Sequence, residues 1–590
     1  MAQREAGTPQ VHGGTLVAEV LARHDVRFLF TLCGGHISPI LLGCEGQGIR
    51  VIDVRHEATA VFAADAVARL TGTVGVAAVT AGPGVTNTIT ALKNAQMAQS
   101  PVVLLGGATA TLLTGRGALQ DIDQMALVRP HVKWATMVDQ LRDIGPALET
   151  AIAKARAGVP GPVFVELPVD LLYPQAVVNE WYAASTPGGS SLRARLMRWY
   201  MARHQRGLFN GNTPREQRAR PVAIPNHDAD DVADLLDSLA RAQRPVLLIG
   251  SQALLPTEAG AAQAQAEALQ QAVLQLGVPA YLSGMARGLL GRHALHLRHK
   301  RSKALKEADL IVLAGVPCDF RLGYGRSLGR DARLVMVNRS RDELKLNCRP
   351  DQAILADAGA FLRAAAAAWQ GDAGRWAPWI SHLQARDAER DGEIVATSGQ
   401  ETEFVNPVAL CRELEAVIPE ESVIIGDGGD FVATASYIVR PRGPLSWLDP
   451  GAFGTLGAGA GFALGAKLAR PEAEVWLLYG DGSAAYSIAE FDTFNRHNVP
   501  VIAIVGTDGS WAQIAREQVA IFDNALGTEL ARTAYQTVAE GYGAAGLLLR
   551  EPGEMASCLR EAQRLAASGK PVLLNAWIGA TDFRKGSISM

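Results

Sequence analysis

Short apolar runs rich in β-branched residues recur along this chain between longer alanine-rich stretches with helical spacing. In the first block, from about Thr8 to Tyr173, the runs are VRFLFTL, GIRVIDVR, TVGVAAVTA, SPVVLLGGA and GPVFVELPV. Continuous apolar runs of this length, punctuated by Gly and Pro, predict strands buried on both faces. Their alternation with helices predicts a parallel sheet covered on each side. The same rhythm returns from about Asp228 to Trp369 in RPVLLIGSQAL, VPAYLSG, ADLIVLAGV and ARLVMVN. It returns again from about Asn406 to Ile578 in SVIIGDGG, EVWLLYGDGS, VPVIAIVGT and KPVLLNAWI. The first and third blocks match in size and rhythm but not in residues, so any duplication is one of topology.

Two polar stretches separate the blocks. The stretch from about Gly371 to Thr402 reads as a linker. The other, from about Pro187 to Asn226, holds LRARLMRWYMARHQRG, where Leu192, Leu196, Trp199 and Tyr200 fall at helical spacing between arginines. This predicts a basic amphipathic helix. Either it lies on a membrane surface or an anionic ligand, or it is a linker helix packed on its own protein by that apolar stripe.

Composition narrows the class. Of 590 residues 48% are hydrophobic and 19% charged, which excludes disorder and coiled coil for most of the chain. A net charge of -3 argues against a nucleic-acid binder. Six scattered cysteines with no CxxC pair suggest neither zinc nor a disulfide framework, and favour a reducing, cytoplasmic setting. The opening MAQREAGTPQ lacks an apolar signal core, and no run of about 20 apolar residues is present to span a membrane.

The strongest chemical signal is Tyr479-Gly480-Asp481-Gly482-Ser483, directly after the run VWLLY. Small residues at a strand-to-helix turn leave backbone N–H groups free to take a diphosphate. Asp481 supplies a hard oxygen, and Asp508 ends the next strand 27 residues later. Adjacent parallel strands would set the two carboxylates side by side, where they could share one Mg²⁺ with substrate phosphates. Taken alone, the GDGS turn is also an ordinary turn. In the first block Glu57 follows the strand VIDV at the start of a helix, where an acid also complements the helix dipole. Gly451 to Gly461 is glycine-rich, but no strand stands immediately before it and no acidic partner follows at the right distance, so a dinucleotide fingerprint is disfavoured. A nucleotide-dependent oxidoreductase binding NAD is therefore the weakest alternative.

These motifs together resemble the acetolactate synthase-like branch of the thiamin-diphosphate enzymes. The resemblance is carried by GGHISPILL, RHEATAVFAADAVARLTGTVGVAAVTAGPGVTNT, KNAQMAQSP, GALQDIDQ, GSQALLP, GMARGLLGRH, DLIVLAGVPCDFRLGYGR, DGGDFV and TDFRKGSIS, which span all three blocks. It implies three doubly wound parallel-sheet α/β domains of the pyruvate oxidase/decarboxylase-like architecture. They would be a pyrimidine-binding domain at 8–185, a linker with the basic helix at 186–227, a nucleotide-binding-like central domain at 228–370, a second linker at 371–402, a diphosphate-binding domain at 403–580 and a tail at 581–590. It further implies that Glu57 hydrogen-bonds the aminopyrimidine of thiamin diphosphate and sets its tautomer. The Gly454 carbonyl would take the 4′-amino group, and Leu456 would wedge between the cofactor's rings. Gly82, Asp427, Gly428, Gly429, Asp481, Gly482, Ser483 and Asp508 would line the cofactor. Mg²⁺ would be held by Asp481, Asp508 and the carbonyl of Ser510. Asp508 is a departure, since the family usually has Asn there. Gln120 would face the substrate, and His36 is a candidate acid/base or a structural histidine.

The implied reaction is carbon–carbon lysis of a 2-hydroxyacyl-CoA to formyl-CoA and a shortened aldehyde. Acetolactate synthesis from pyruvate, a 2-keto acid, is the alternative. A catalytically silent scaffold is a third, disfavoured by the joint presence of Glu57, Asp481 and Leu456. Leu119 stands where the synthases commonly have Phe, a small argument against pyruvate. In this family the central domain takes FAD or an ADP-type nucleotide such as ADP or CoA, with Arg287, Arg321 and Arg339 as possible phosphate contacts. The resemblance also implies a homodimer or homotetramer with active sites at subunit interfaces.

Overall fold

The computed structural model describes residues 12–184, 191–209 and 219–586. The expected boundaries at 8, 185 and 186 and the last residues of the expected tail lie outside the described residues. The chain forms two compact units, one built on residues up to Val222 and one from Ala223 onward, with Arg69–Gly72 grouped with the second.

The first unit holds a six-stranded sheet of β1 (Phe28–Thr31), β2 (Arg50–Asp53), β3 (Gly75–Val79), β4 (Val102–Ala108), β5 (Trp134–Met137) and β6 (Val163–Pro168). Their order is β2-β1-β3-β4-β6-β5, and every pairing is parallel. Every residue of β3, β4 and β6 is buried, as runs covered on both faces require. Leu16, Val20 and Leu21 from the Gly13–Arg23 helix and Leu148 and Ile152 from the Ile144–Arg156 helix share one core with Val103, Val163 and Val165.

The second unit holds two sheets. One contains β7 (Pro245–Ile249), β8 (Ala280–Leu282), β9 (Leu310–Ala314), β10 (Arg333–Asn338) and β11 (Gln352–Leu355), ordered β11-β10-β9-β7-β8. The other contains β12 (Ser422–Gly426), β13 (Trp447–Leu448), β14 (Glu474–Gly480), β15 (Ile502–Thr507), β16 (Ala545–Leu549) and β17 (Val572–Trp577). Its order, β13-β12-β14-β15-β17-β16, repeats that of the first sheet strand for strand. The duplication anticipated from rhythm alone is therefore real at the level of topology.

In both six-stranded sheets the chain moves outward in opposite directions from the central pair, β1/β3 or β12/β14. Loops leaving the C-terminal ends of such a pair diverge and open a crevice, the usual ligand position in a doubly wound sheet.

Two polar stretches behave differently from expectation. Residues read as a linker around 371–402 include a 22-residue helix, Ala377–Ser398, seated by buried Trp379, Leu383 and Ile394. The basic segment does form a helix, Leu192–Leu208, but not packed by its predicted stripe. Ala194 and Leu208 are buried and Met201 packs on the first unit's core, whereas Leu192, Leu196, Trp199 and Tyr200 are 73%, 57%, 57% and 47% exposed. Small Ala194 and the flexible Met201 fit the sheet-covering layer more closely than a Trp–Tyr face could.

Candidate active site

At the crevice of the first sheet, the loop after β1 carries His36 and the loop after β3 carries Thr80. His36 Nδ1 lies 3.1 Å from Thr80 Oγ1. Burial lowers the His36 pKa, which keeps the ring neutral at pH 7 and able to accept a proton. Glu57 opens the Glu57–Thr71 helix after β2 and is buried, its Oε2 accepting from Asn87 Nδ2 at 3.0 Å. Gly82 has φ +62°, and a Cβ there would meet the Gln120 carbonyl at 2.8 Å, so only glycine allows this approach. Its N–H donates to Gln124 Oε1 at 2.8 Å. Gln124 in turn donates to Glu166 at 2.8 Å and to the Gly107 carbonyl at 3.1 Å. Burial raises the Glu166 carboxyl above its ordinary range.

In the third sheet, the loops after β12, β14 and β15 converge. Gly480 pairs with Gly506, so Asp481 and Asp508 follow at neighbouring strand ends, as the spacing predicted. Asp481 Oδ1 accepts the Gly482 N–H at 2.8 Å, and Oδ2 accepts the Gly509 N–H at 2.7 Å. Asp508 Oδ1 accepts the Ser510 N–H at 3.0 Å. Burial, and next the charge of Asp481, push the Asp508 carboxyl up to about 7, and burial also raises Asp481. Asp427 is buried and clamps the glycine-rich segment, accepting from Gly459 N–H at 2.6 Å and Gly457 N–H at 3.0 Å. Burial pushes its carboxyl up to about 7. Ser483 Oγ donates to the Gly428 carbonyl at 2.9 Å, and a Cβ on Gly428 would strike Leu456 Cδ2 at 2.2 Å. Gly429, at φ +111°, lies against Gly480, and Gly454 turns the chain at φ +63°. The structure thus gathers Asp427, Gly428, Gly429, Leu456, Asp481, Gly482, Ser483 and Asp508 at one crevice. A two-residue strand, β13, does precede the glycine-rich segment, contrary to expectation. It leads into a single 3₁₀ turn at Gly451–Phe453, and the next helix begins only at Gly459.

Two neighbouring carboxylates, Asp481 buried and Asp508 partly so, both raised by burial and Asp508 also by the charge of Asp481, form a donor set suited to a divalent cation. Among the described residues no group of three or more His, Cys, Asp or Glu side chains could hold a metal. Two carboxylates would leave the remaining positions of a bound cation to other oxygens, as Mg²⁺ prefers. Without a cation the pair costs stability, and the sign can be tested. A carboxyl at about 7 in the fold and about 4 when unfolded stabilises the fold below pH ~4 and loses that contribution as pH rises to 7. Asp508→Asn keeps the Ser510 bond and removes the repulsion. The metal-free variant should therefore melt above the metal-free parent at pH 8 but not at pH 4, by roughly 2–4 °C per kcal/mol relieved. Differential scanning calorimetry in chelator at the two pH values checks this.

Arg287 and Arg321 line one cavity of about 720 Å³, together with Arg298, Lys300, Arg301 and Arg440. Burial, and next the charge of Arg321, lower the Arg301 pKa, the mark of crowded cations. Arg287 stacks on Trp447 at 4.6 Å and donates to the Ser436 carbonyl. Arg321 is held by Asp319 through Nη2 at 2.7 Å. Arg339 is not among the lining residues. Its guanidinium is fully buried and paired with Asp357 at 2.6 Å, an internal strut rather than a phosphate contact.

Sequence reasoning missed several partners: Asn87 on Glu57, Thr80 on His36, Gln124 on Gly82, and Tyr535, whose hydroxyl donates to the Asp481 carbonyl at 2.9 Å. Trp511 was missed as well, though a Cβ on Gly482 would lie 2.4 Å from its ring. Only Asn87 carried a signal, since it ends the glycine loop after β3.

Three family models match the chain: the thiamine pyrophosphate enzyme N-terminal TPP binding domain at residues 11–127, the central domain at 232–365 and the C-terminal TPP binding domain at 427–576. The chain is 53% identical to 2-hydroxyacyl-CoA lyase 2 of Mus musculus, over 98% of this chain and 92% of the relative. The Homo sapiens protein of the same name is 52% identical over the same shares. A probable acetolactate synthase of Mycobacterium bovis is 34% identical over 98% of this chain and 97% of the relative.

Proposed function

This chain belongs to the thiamine pyrophosphate enzyme family, and from that premise we propose that it is a Mg²⁺-dependent carbon–carbon lyase that cleaves a 2-hydroxyacyl-CoA into formyl-CoA and an aldehyde one carbon shorter. The observation that carries the substrate choice is its far higher identity to the proteins named 2-hydroxyacyl-CoA lyase 2 than to the one named probable acetolactate synthase. When bound, thiamin diphosphate supplies the carbon nucleophile and electron sink that the protein lacks.

Each residue of the crevices then has a role. Asp481, Asp508 and the Ser510 carbonyl hold Mg²⁺, and Gly482 and Ser483 hold the diphosphate end. Asp427 and Gly428 fix the glycine-rich segment and Gly429 packs on Gly480, and the Gly454 carbonyl and Leu456 would hold the ring end of the cofactor. Glu57, oriented by Asn87, holds the aminopyrimidine, and Gly82 keeps that loop close. The bond between the acyl carbon and the hydroxyl-bearing carbon breaks. The hydroxyl loses its proton and the acyl carbon gains one. Neutral His36 can carry that proton, and Gln120, packed against Gly82, would face the substrate. The cavity around Arg287 and Arg321 suits the adenosine diphosphate portion common to ADP, CoA and FAD. The division into domains, a homodimeric or homotetrameric state and a cytoplasmic location are parts of the same proposal. No helix among the described residues is long and apolar enough to cross a membrane.

Supplying the pure protein, thiamin diphosphate and Mg²⁺ with a 2-hydroxyacyl-CoA or with pyruvate tests the reading. Formyl-CoA and aldehyde in equal amounts are expected. Acetolactate formed far faster than aldehyde would overturn the lyase assignment in favour of the synthase. Mass spectrometry of small molecules released on denaturation should find ADP or CoA, without flavin absorbance in the native protein.

A further inference from the structure

The Leu192–Leu208 helix has two unlike faces. One is anchored to the first unit through buried Ala194 and Leu208 and through His204, whose Nε2 lies 2.9 Å from Thr111 Oγ1. The opposite face presents Leu192, Leu196, Trp199 and Tyr200 to solvent, the largest of them more than half exposed. Arg193, Arg195, Arg198, Arg203 and Arg206 are all exposed around them, and the 17 residues contain no Asp or Glu. Because the inner face is pinned, the outer one cannot turn inward to bury its aromatic residues.

We propose that this outer face is a reversible docking surface for an anionic phospholipid bilayer. Four large apolar side chains, two of them aromatic, at i, i+4, i+7 and i+8 suit the boundary between headgroups and acyl chains. The arginines reach outward along their alkyl stems to lipid phosphates. The charge is local, because the whole chain carries -3. A second copy of the chain is the poorer occupant. A two-fold contact through this face would set five arginines against five with no acid among them. One helix face without a spanning segment gives weak, salt-sensitive binding.

The test is sedimentation of the intact protein with phosphatidylcholine vesicles, with and without phosphatidylserine at about a third of the lipid. Partitioning should rise about tenfold with the anionic lipid and collapse in high salt. The double variant Leu196→Glu/Trp199→Glu should lose binding at least about tenfold while keeping turnover and thermal midpoint. Arg195→Gln/Arg203→Gln should lose the preference for anionic lipid. Absence of vesicle binding by the parent overturns the proposal, as does binding that either double variant leaves unchanged. A fall in oligomeric mass of Leu196→Glu/Trp199→Glu by light scattering also overturns it, since a second copy would then be the occupant.

Discussion

Glu57→Gln should lower turnover by about 10²–10⁴-fold while leaving the fold and the affinity for thiamin diphosphate nearly unchanged. The substitution is isosteric. Glutamine's carbonyl can keep the bond from Asn87 Nδ2, which now reaches Glu57 Oε2 at 3.0 Å. It loses a charge at the first turn of a helix, a cost of about 0.3–1 kcal/mol at most sites, so the thermal midpoint should fall only slightly. What disappears is a group able to hold a proton next to a heterocycle. Steady-state kinetics at saturating cofactor checks the rate, and calorimetry checks occupancy. Near-normal turnover with full occupancy would remove Glu57 from the chemistry.

Asp481→Asn should fail in the opposite way, by losing the cofactor. Both oxygens of Asp481 are used, one on the Gly482 N–H and one on the Gly509 N–H. An asparagine offers one acceptor and one donor, so one of those N–H groups faces another donor, at about 1–3 kcal/mol. The variant also removes a charge from the cation pair. Changes to residues that merely support a metal ligand cost 10–100-fold in metal affinity, so a direct ligand should cost at least about 100-fold. Titration of thiamin diphosphate at several Mg²⁺ concentrations by calorimetry measures it. Affinity within about threefold of the parent would place the metal elsewhere. The two variants separate loss of chemistry from loss of binding.

The sequence exposed the interior of the fold more clearly than its margins. Every strand that the apolar runs missed, β5, β11, β13 and β16, lies at a sheet edge. An edge strand has one hydrogen-bonded neighbour and partial solvent, so short or half-buried segments such as Trp134–Met137 suffice there. The Ala377–Ser398 helix stayed hidden because three buried apolar side chains in 22 residues leave almost no periodic signal. Within the candidate site, Asp481 and Asp508 were legible because backbone topology alone makes neighbours of two consecutive parallel strand ends. Gln124, Trp511 and Tyr535 were not, since nothing local announces that a side chain will cross to a glycine or a carbonyl from another loop. The Leu192–Leu208 helix shows a related limit. Periodicity revealed its two faces but not which one the protein would keep.

The strand order has a consequence for synthesis. In both six-stranded sheets the strand made last, β6 or β17, fills an internal slot rather than an edge. A nascent chain that has completed β4 at Ala108 must wait until Pro168 emerges before β4 gains its second neighbour, roughly 3–12 s at ordinary elongation rates. During that interval one side of a wholly apolar strand is open to other chains, and slower elongation should lengthen that exposure.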